Sequence, residues 1–203
     1  TVLCGWDNAI LACAAEETAQ IRDEARRAAV EKRKARVAEA IRGEDAETPI
    51  LIEAGLYDSP KAFGFLSPMK IYNVIYQVHM YAPHAYTHQL HPKAVYDGYP
   101  NAEKGWNLDF LRQQLKPVVD FQRRHRCRIY VGEFSVIGWA PGADRYLADC
   151  IGLFKEFGWD WTYHAFREWP GWSVEHEGTS PSDMHPSADN PRMRVLKRGL
   201  RGR

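Results

Sequence analysis

The chain has 203 residues, of which 45% are hydrophobic and 26% are charged, and its formal net charge is +1. This composition is typical of one globular domain, and the near-neutral charge excludes a broad electrostatic surface for nucleic acid or an anionic membrane. No stretch approaches the roughly 20 apolar residues that span a bilayer. The sequence therefore predicts a single domain over residues 1–203 with no nucleic-acid partner and no membrane partner.

The predicted elements alternate between helices and strands. A long charged helix covers 14–42, and four short apolar runs follow at 49–54, 73–81, 128–136 and 159–166. Segments of helical periodicity lie between the later runs, at 108–125 and 144–157. Strands that alternate with helices favour a parallel sheet with functional residues at the carboxyl ends of the strands. The pattern alone leaves open whether the sheet is doubly wound or part of a barrel.

The last part of the chain has a different composition. After Trp172 it is rich in Ser, Pro, His and Asp, and it closes with the basic run MRVLKRGLRGR. Residues 177–203 are predicted to be a solvated terminal helix or tail, because basic runs usually lie in solvent. The first residues lack the basic-then-apolar layout of a signal peptide, so the sequence leaves the compartment undetermined.

Reactive polar residues stand at the ends of three predicted strands. His79 and Tyr81 are two residues apart, so a strand directs both side chains to one face. Glu133 is a lone carboxylate near the end of the apolar run RIYVGEF. The last strand and the loop after it carry further polar and aromatic side chains, namely Trp161, His164, Arg167, Glu168, Trp169 and Trp172.

These residue types together suit a carbohydrate site. Aromatic faces stack on pyranose rings, and a carboxylate can attack or stabilise an anomeric centre with oxocarbenium character. A hydrogen bond from Tyr81 is expected to keep Glu133 ionised and oriented for a nucleophilic role. Trp161, His164, Trp169 and Trp172 are the candidate substrate-binding residues.

Three motifs resemble those of family 5 glycoside hydrolases, the cellulase family. IYVGEFSV resembles the seventh barrel strand with its nucleophilic Glu, VIYQVHMYAPHAYTHQ resembles the sixth strand with its His-x-Tyr, and WDWTYHAFREWPGWSVE resembles the eighth. The resemblance implies a partial (β/α)8 TIM barrel, about strands four to eight, and retaining hydrolysis of β-linked glucans with no cofactor. It implies Glu133 as nucleophile, with His79 and Tyr81 beside it, and it is typical of secreted enzymes.

The sequence also departs from the family pattern. The acid/base of the family is the Glu of an Asn-Glu-Pro motif on strand four, and this chain has no such motif. TVLCGWDNAI resembles a remnant of that strand, but Asp7 is followed by Asn8, Ala9 and Ile10. Glu16, Glu17 and Glu168 are the remaining carboxylates considered, and each is more typical of a solvated surface. The acid/base is therefore not identified.

Three alternatives stay open. His79, His84, His88 and His91 match no standard metal-binding spacing, so His84 and His88 are interpreted as lining the sugar cleft and no metal site is predicted. A catalytically impaired half-barrel that binds carbohydrate, or an inert fragment, is the alternative to an enzyme. Because five strands cannot close an eight-stranded barrel, a homo-oligomer that covers the open edges is a further hypothesis.

Overall fold

The computed structural model describes residues 24–201, with side chains from residue 29 onward. Its helices are α1 (Glu24–Glu44), α2 (His84–Thr87), α3 (Leu108–His125), α4 (Ala143–Phe157) and α5 (Pro191–Arg201). Its strands are β1 (Ile50–Glu53), β2 (Val74–Met80), β3 (Arg128–Phe134), β4 (Asp160–Trp161), β5 (His176–Glu177) and β6 (His185–Pro186). The predicted remnant of strand four at residues 1–10, and Glu16 and Glu17 after it, lie outside the described residues.

The first four strands form one parallel sheet in the order β1-β2-β3-β4. In β2 the side chains alternate, so that Tyr76, Val78 and Met80 are buried while Gln77 and His79 point to the opposite face. β1 pairs with β2 in a register that sets Glu53 beside Gln77. Parallel strands with intervening helices confirm the predicted partial α/β barrel.

Contacts divide the described chain into two compact units. The first contains residues 24–79 and 116–130. Its core includes an aromatic group in which Phe121 packs edge-on against Phe63 and Tyr76, with ring centroids 5.4 and 5.0 Å apart. Val30 and Ala38 of α1 are also buried. The buried face of α1 thus also contains Lys34, whereas Val37 is 42% exposed.

The second unit contains residues 80–115 and 131–201. α4 ends at Gly158, whose φ of 72° lets its backbone N–H reach the carbonyl groups of Phe154 and Lys155. α5 packs on α4 and buries Val195 and Leu196. The segment predicted as a terminal helix or tail therefore contains a helix with an apolar buried face. The single-domain organisation stays a prediction.

None of the helices within residues 24–201 has the length and apolar character needed to cross a bilayer.

Candidate active site

Tyr81 and Glu133 meet in the second unit, where β2 and β3 end. The Tyr81 hydroxyl donates a hydrogen bond of 2.9 Å to Oε2 of Glu133. Burial, and then the negative charge of Glu133, raise the pKa of the phenol far above its ordinary value. Tyr81 is therefore a neutral hydrogen-bond donor to this carboxylate, and the nucleophilic role of Glu133 stays a prediction.

The backbone around Tyr81 is anchored by two buried hydroxyl groups. Thr87 Oγ1 donates a hydrogen bond of 2.7 Å to the Tyr81 carbonyl oxygen. The Tyr146 hydroxyl donates one of 3.1 Å to the carbonyl of Ala82. Both donors are fully buried, so they hold the segment that positions the phenol.

Four rings form what we call the aromatic cluster: Tyr81, His88, His164 and Trp172. His88 lies edge-on to both Tyr81 and Trp172, with ring centroids 5.0 Å apart in each pair. His164 lies 6.0 Å from Trp172 and 6.4 Å from Tyr81. The cluster gives Glu133 a wall of flat faces and ring edges.

Two further predicted residues extend this wall. Trp169 lies 6.2 Å from Trp172 and borders an open cleft of about 480 Å³ that Arg167, Glu175 and His176 also line. The exposed His84 stacks on His88, with centroids 3.8 Å apart and planes at 11°. The wall therefore continues from the carboxylate towards solvent.

His88 is held neutral by its surroundings. Burial is the main cause, and the neighbouring His84 and His164 add to it, so the pKa of His88 falls to about 4. Its Nδ1 lies 2.8 Å from Thr87 Oγ1. At neutral pH it adds a polar but uncharged ring to the cluster. The sequence named His88 only as a loop residue lining the cleft.

His164 and Glu168 lie within hydrogen-bonding distance of each other in the loop after β4. His164 Nε2 lies 2.9 Å from Glu168 Oε2, and the Glu168 side chain is 58% exposed. This exposure agrees with the solvated surface carboxylate that the sequence indicated. The Glu168 carboxylate thus contacts the His164 imidazole. Within residues 24–201, no second carboxyl group of the site is assigned to proton transfer.

Trp161 lies away from the aromatic cluster. It is buried, its ring packs edge-on against Phe134 at 5.3 Å, and Gly199 of α5 approaches it closely. Trp161 is the last residue of β4, whereas His164 lies beyond the end of that strand. His164 joins the cluster and Trp161 joins the core.

The loop that carries Trp172 is fixed by Arg192 of α5. This guanidinium is 4% exposed and donates hydrogen bonds of 2.9 Å to the carbonyl oxygens of Ser173 and His176. It also reaches the carbonyl of Val136, at 3.3 Å, just after β3. Sequence reasoning missed this role, because Arg192 lies in a basic run that is usually solvated.

His79 lies in the first unit, in what we call the polar cluster: Glu53, Asp58, Gln77 and His79. Gln77 Nε2 lies 3.0 Å from Glu53 Oε1, 3.2 Å from Asp58 Oδ2 and 3.1 Å from His79 Nε2. Asp58 is 1% exposed. Burial, and then the charge of Glu53, raise its pKa well above the ordinary value.

The sequence missed the two carboxyl groups of the polar cluster. Glu53 ends β1 just as Glu133 stands near the end of β3, so the same strand-end argument would have found it. Asp58 follows in the next turn, where Leu56, Tyr57 and Asp58 itself all have positive φ. No sequence pattern predicts that turn, because none of these three residues is a glycine.

Comparison with known proteins gives a consistent set of relatives. Endoglucanase C of Acetivibrio thermocellus is 27% identical over 157 residues, which cover 61% of this chain and 46% of that protein. Endoglucanase C307 of a Clostridium species matches to the same extent. The chain thus spans about half the length of the curated relatives that it matches. No family model matches the sequence.

Solved structures share the fold. The cellulose synthase subunit Z of Clostridioides difficile has a TM-score of 0.67 at 14% identity, covering 84% of this chain and 56% of that one. Cel5A of Thermotoga maritima, solved with cellobiose, has a TM-score of 0.63 at 19% identity, covering 79% and 51%. These relatives confirm the resemblance to part of a cellulase-like barrel.

Proposed function

We propose that this chain, a relative of the cellulase-like glycoside hydrolases of family 5, is the nucleophile-bearing part of a retaining enzyme that cleaves β-linked glucans. The observation that carries the proposal is the hydrogen bond from the Tyr81 hydroxyl to Glu133 Oε2 at 2.9 Å, beside a wall of aromatic rings. A neutral phenol orients the carboxylate without neutralising its charge. That is the state a nucleophile needs.

The chemistry follows from the geometry of one carboxylate. A carboxylate oxygen of Glu133 attacks the anomeric carbon, the bond from that carbon to the leaving oxygen breaks, and a glycosyl ester forms. The leaving oxygen takes a proton from an acid. Water then attacks the same anomeric carbon and gives a proton to the conjugate base of that acid. The bond to the Glu133 carboxylate breaks, and the sugar leaves with its original anomeric configuration.

Substrate binding is assigned to the aromatic wall. Trp172 and Trp169 offer large faces for pyranose rings, and His88 and His164 offer ring nitrogens for sugar hydroxyl groups. His84, exposed on the outer side of His88, lies where a longer oligosaccharide would pass. Cel5A of Thermotoga maritima was solved with cellobiose and with mannotriose, which supports a β-linked oligosaccharide as ligand.

No residue of this chain is assigned as the acid that protonates the leaving group. The family motif that supplies it is absent from the sequence, and the strand remnant lies outside the described residues. A carbohydrate-binding half-barrel is therefore the second candidate function, favoured by an aromatic wall without a paired acid. The contacts described for His79 lie in the polar cluster, so its part in catalysis stays a prediction.

The decisive experiment uses a substrate whose leaving group needs no proton from an acid. 2,4-Dinitrophenyl 2-deoxy-2-fluoro-β-cellobioside has a leaving group that departs without protonation, while the fluorine slows hydrolysis of the ester. We expect mass spectrometry to find one cellobiosyl adduct, on the peptide that contains Glu133. Glu133→Gln should form none, and Glu168→Gln should still form it.

The outcomes separate the candidates. An adduct on another residue, or none at all, contradicts Glu133 as nucleophile. Cellobiose binding by titration calorimetry without any adduct identifies the binding module. A homo-oligomer that completes the barrel stays a proposal, and a monomeric mass by light scattering after size-exclusion chromatography would contradict it.

A further inference from the structure

The polar cluster brings three potential metal ligands together in the first unit. One carboxylate oxygen from each of Glu53 and Asp58 and one imidazole nitrogen of His79 lie within 4.8 Å of one another. His79 Nε2 and Asp58 Oδ2 are 3.6 Å apart. Ligands at about 2.1 Å from a tetrahedral ion are separated by about 3.4 Å, so the spacing suits a shared ion.

The Gln77 amide, at the centre of the polar cluster, has fewer hydrogen atoms than it has neighbouring acceptor groups. The Gln77 amide nitrogen carries two hydrogens, yet it faces Glu53 Oε1, Asp58 Oδ2 and His79 Nε2 at 3.0 to 3.2 Å. If His79 Nε2 carries a lone pair, a third hydrogen is needed. If Nε2 carries a hydrogen, two donors face each other.

Burial adds a second, independent observation. Asp58 is 1% exposed, and its second oxygen, Oδ1, has no hydrogen-bond partner among the described residues. Buried carboxylates are normally paired with a cation or bound to a metal. The neighbouring buried Lys34 donates to Glu31 and to the backbone carbonyl of Glu53. The buried Asp58 carboxylate thus presents Oδ2 to Gln77 and His79, while its Oδ1 has no hydrogen bond among the described residues.

We propose that Glu53, Asp58 and His79 bind a divalent transition metal ion of the zinc or manganese class. Rotation of the Gln77 amide by half a turn exchanges its nitrogen for its oxygen, which supplies a fourth ligand at the same point. An ion bound between these four ligands then removes the mismatch, because all four groups donate a lone pair to it and none needs to donate a hydrogen. Imidazole beside carboxylate oxygens favours Zn²⁺ or Mn²⁺ over Ca²⁺ and Mg²⁺, which prefer oxygen ligands alone.

The test of this site does not depend on glycoside turnover. The full 203-residue chain is stripped with a chelator and titrated by calorimetry with ZnCl₂ and with MnCl₂. We expect one ion per chain. Asp58→Asn and His79→Ala should each weaken binding by more than about tenfold, since each removes a ligand.

Matched controls make the test specific. His185→Ala removes an exposed imidazole 3.8 Å from Glu177 and should leave the affinity unchanged. Gln77→Glu keeps a side-chain oxygen and should retain binding, whereas Gln77→Leu should weaken it. Circular dichroism without metal verifies folding of each variant, and Asp58→Asn, the closest in shape, suffices if His79→Ala does not fold.

The absence of stoichiometric binding up to millimolar metal would overturn the proposal. So would equal affinity in folded wild type and Asp58→Asn, or loss of binding in His185→Ala. Binding that persists unchanged in Glu133→Gln would support it and separate it from the glycosidase proposal.

Discussion

The two compact units each contain a buried cation, and the cations have different neighbours. In the first unit, Lys34 donates a hydrogen bond of 3.1 Å to the Glu53 carbonyl oxygen, beside the carboxyl groups of the polar cluster. In the second, Arg192 donates to the backbone of the loop that carries Trp172. The described partner of Glu133 is instead the neutral phenol of Tyr81. Both buried cations thus donate to backbone carbonyl groups, whereas the hydrogen bond described for Glu133 comes from an uncharged donor.

The largest expected effect tests the scaffold role of Arg192. Arg192→Met leaves the carbonyl groups of Ser173, His176 and Val136 without this donor, and we expect a loss of about 3 kcal/mol of unfolding free energy. Urea denaturation measures it. Arg194→Met, on the same helix but exposed, should change stability little. Equal losses in the two variants would contradict the anchoring role.

The next effect tests the neutral partner of Glu133. Tyr81→Phe removes one hydrogen bond to a charged group, so we expect the rate on 2,4-dinitrophenyl β-cellobioside to fall about 10- to 100-fold. Tyr99→Phe is the matched control, because it also removes a hydrogen bond from a tyrosine to a carboxylate. The Tyr99 hydroxyl donates this bond, of 2.8 Å, to Asp149, outside the aromatic cluster. A similar fall in both variants would indicate a general structural effect.

His88 should make the second unit sensitive to acid. Its pKa in the folded protein is about 4, against 6.5 ordinarily, so the unfolded chain takes up a proton first as the pH falls. The stabilising contribution is complete above pH 6.5 and is lost towards pH 4. We expect wild type to lose about 2 kcal/mol more than His88→Gln over this range. Urea denaturation at several pH values measures it, and parallel pH curves would contradict it.

Asp58 should act in the opposite direction. Its raised pKa means that its contribution is complete below the ordinary value of 3.8 and is lost as the pH rises through the folded pKa. In chelator at pH 7, Asp58→Asn should therefore be more stable than wild type. Asp45→Asn should instead destabilise, because hydrogen bonds from Thr48 lower the pKa of exposed Asp45 to about 2. Two shifts of the same sign would contradict this contrast.

Local patterns predicted much of the fold and the central pair of the site. The helix over 108–125 begins and ends where its periodicity indicated, with Pro117 inside it. β3 begins at Arg128 as predicted, and Tyr81 meets Glu133 because two parallel strands end side by side. Each of these depends on short-range alternation or on a general property of parallel sheets.

The remaining features depend on contacts that no local pattern records. Asp58 reaches Gln77 through a turn with three consecutive positive φ values, none of them at a glycine. Arg192 becomes buried because α5 packs on α4, although its neighbours in sequence are basic. Trp161 was predicted to bind substrate, but it is buried against Phe134, a contact between distant residues that no local pattern records.

The protonated phenol of Tyr81 has one more consequence. Because burial and the charge of Glu133 keep its proton bound far into the alkaline range, Tyr81 stays a donor at every pH where an enzyme is assayed. A decline of turnover on the alkaline side of a pH–rate profile therefore cannot report ionisation of this residue. Under the retaining mechanism proposed above, such a decline is expected to report the acid that protonates the leaving oxygen.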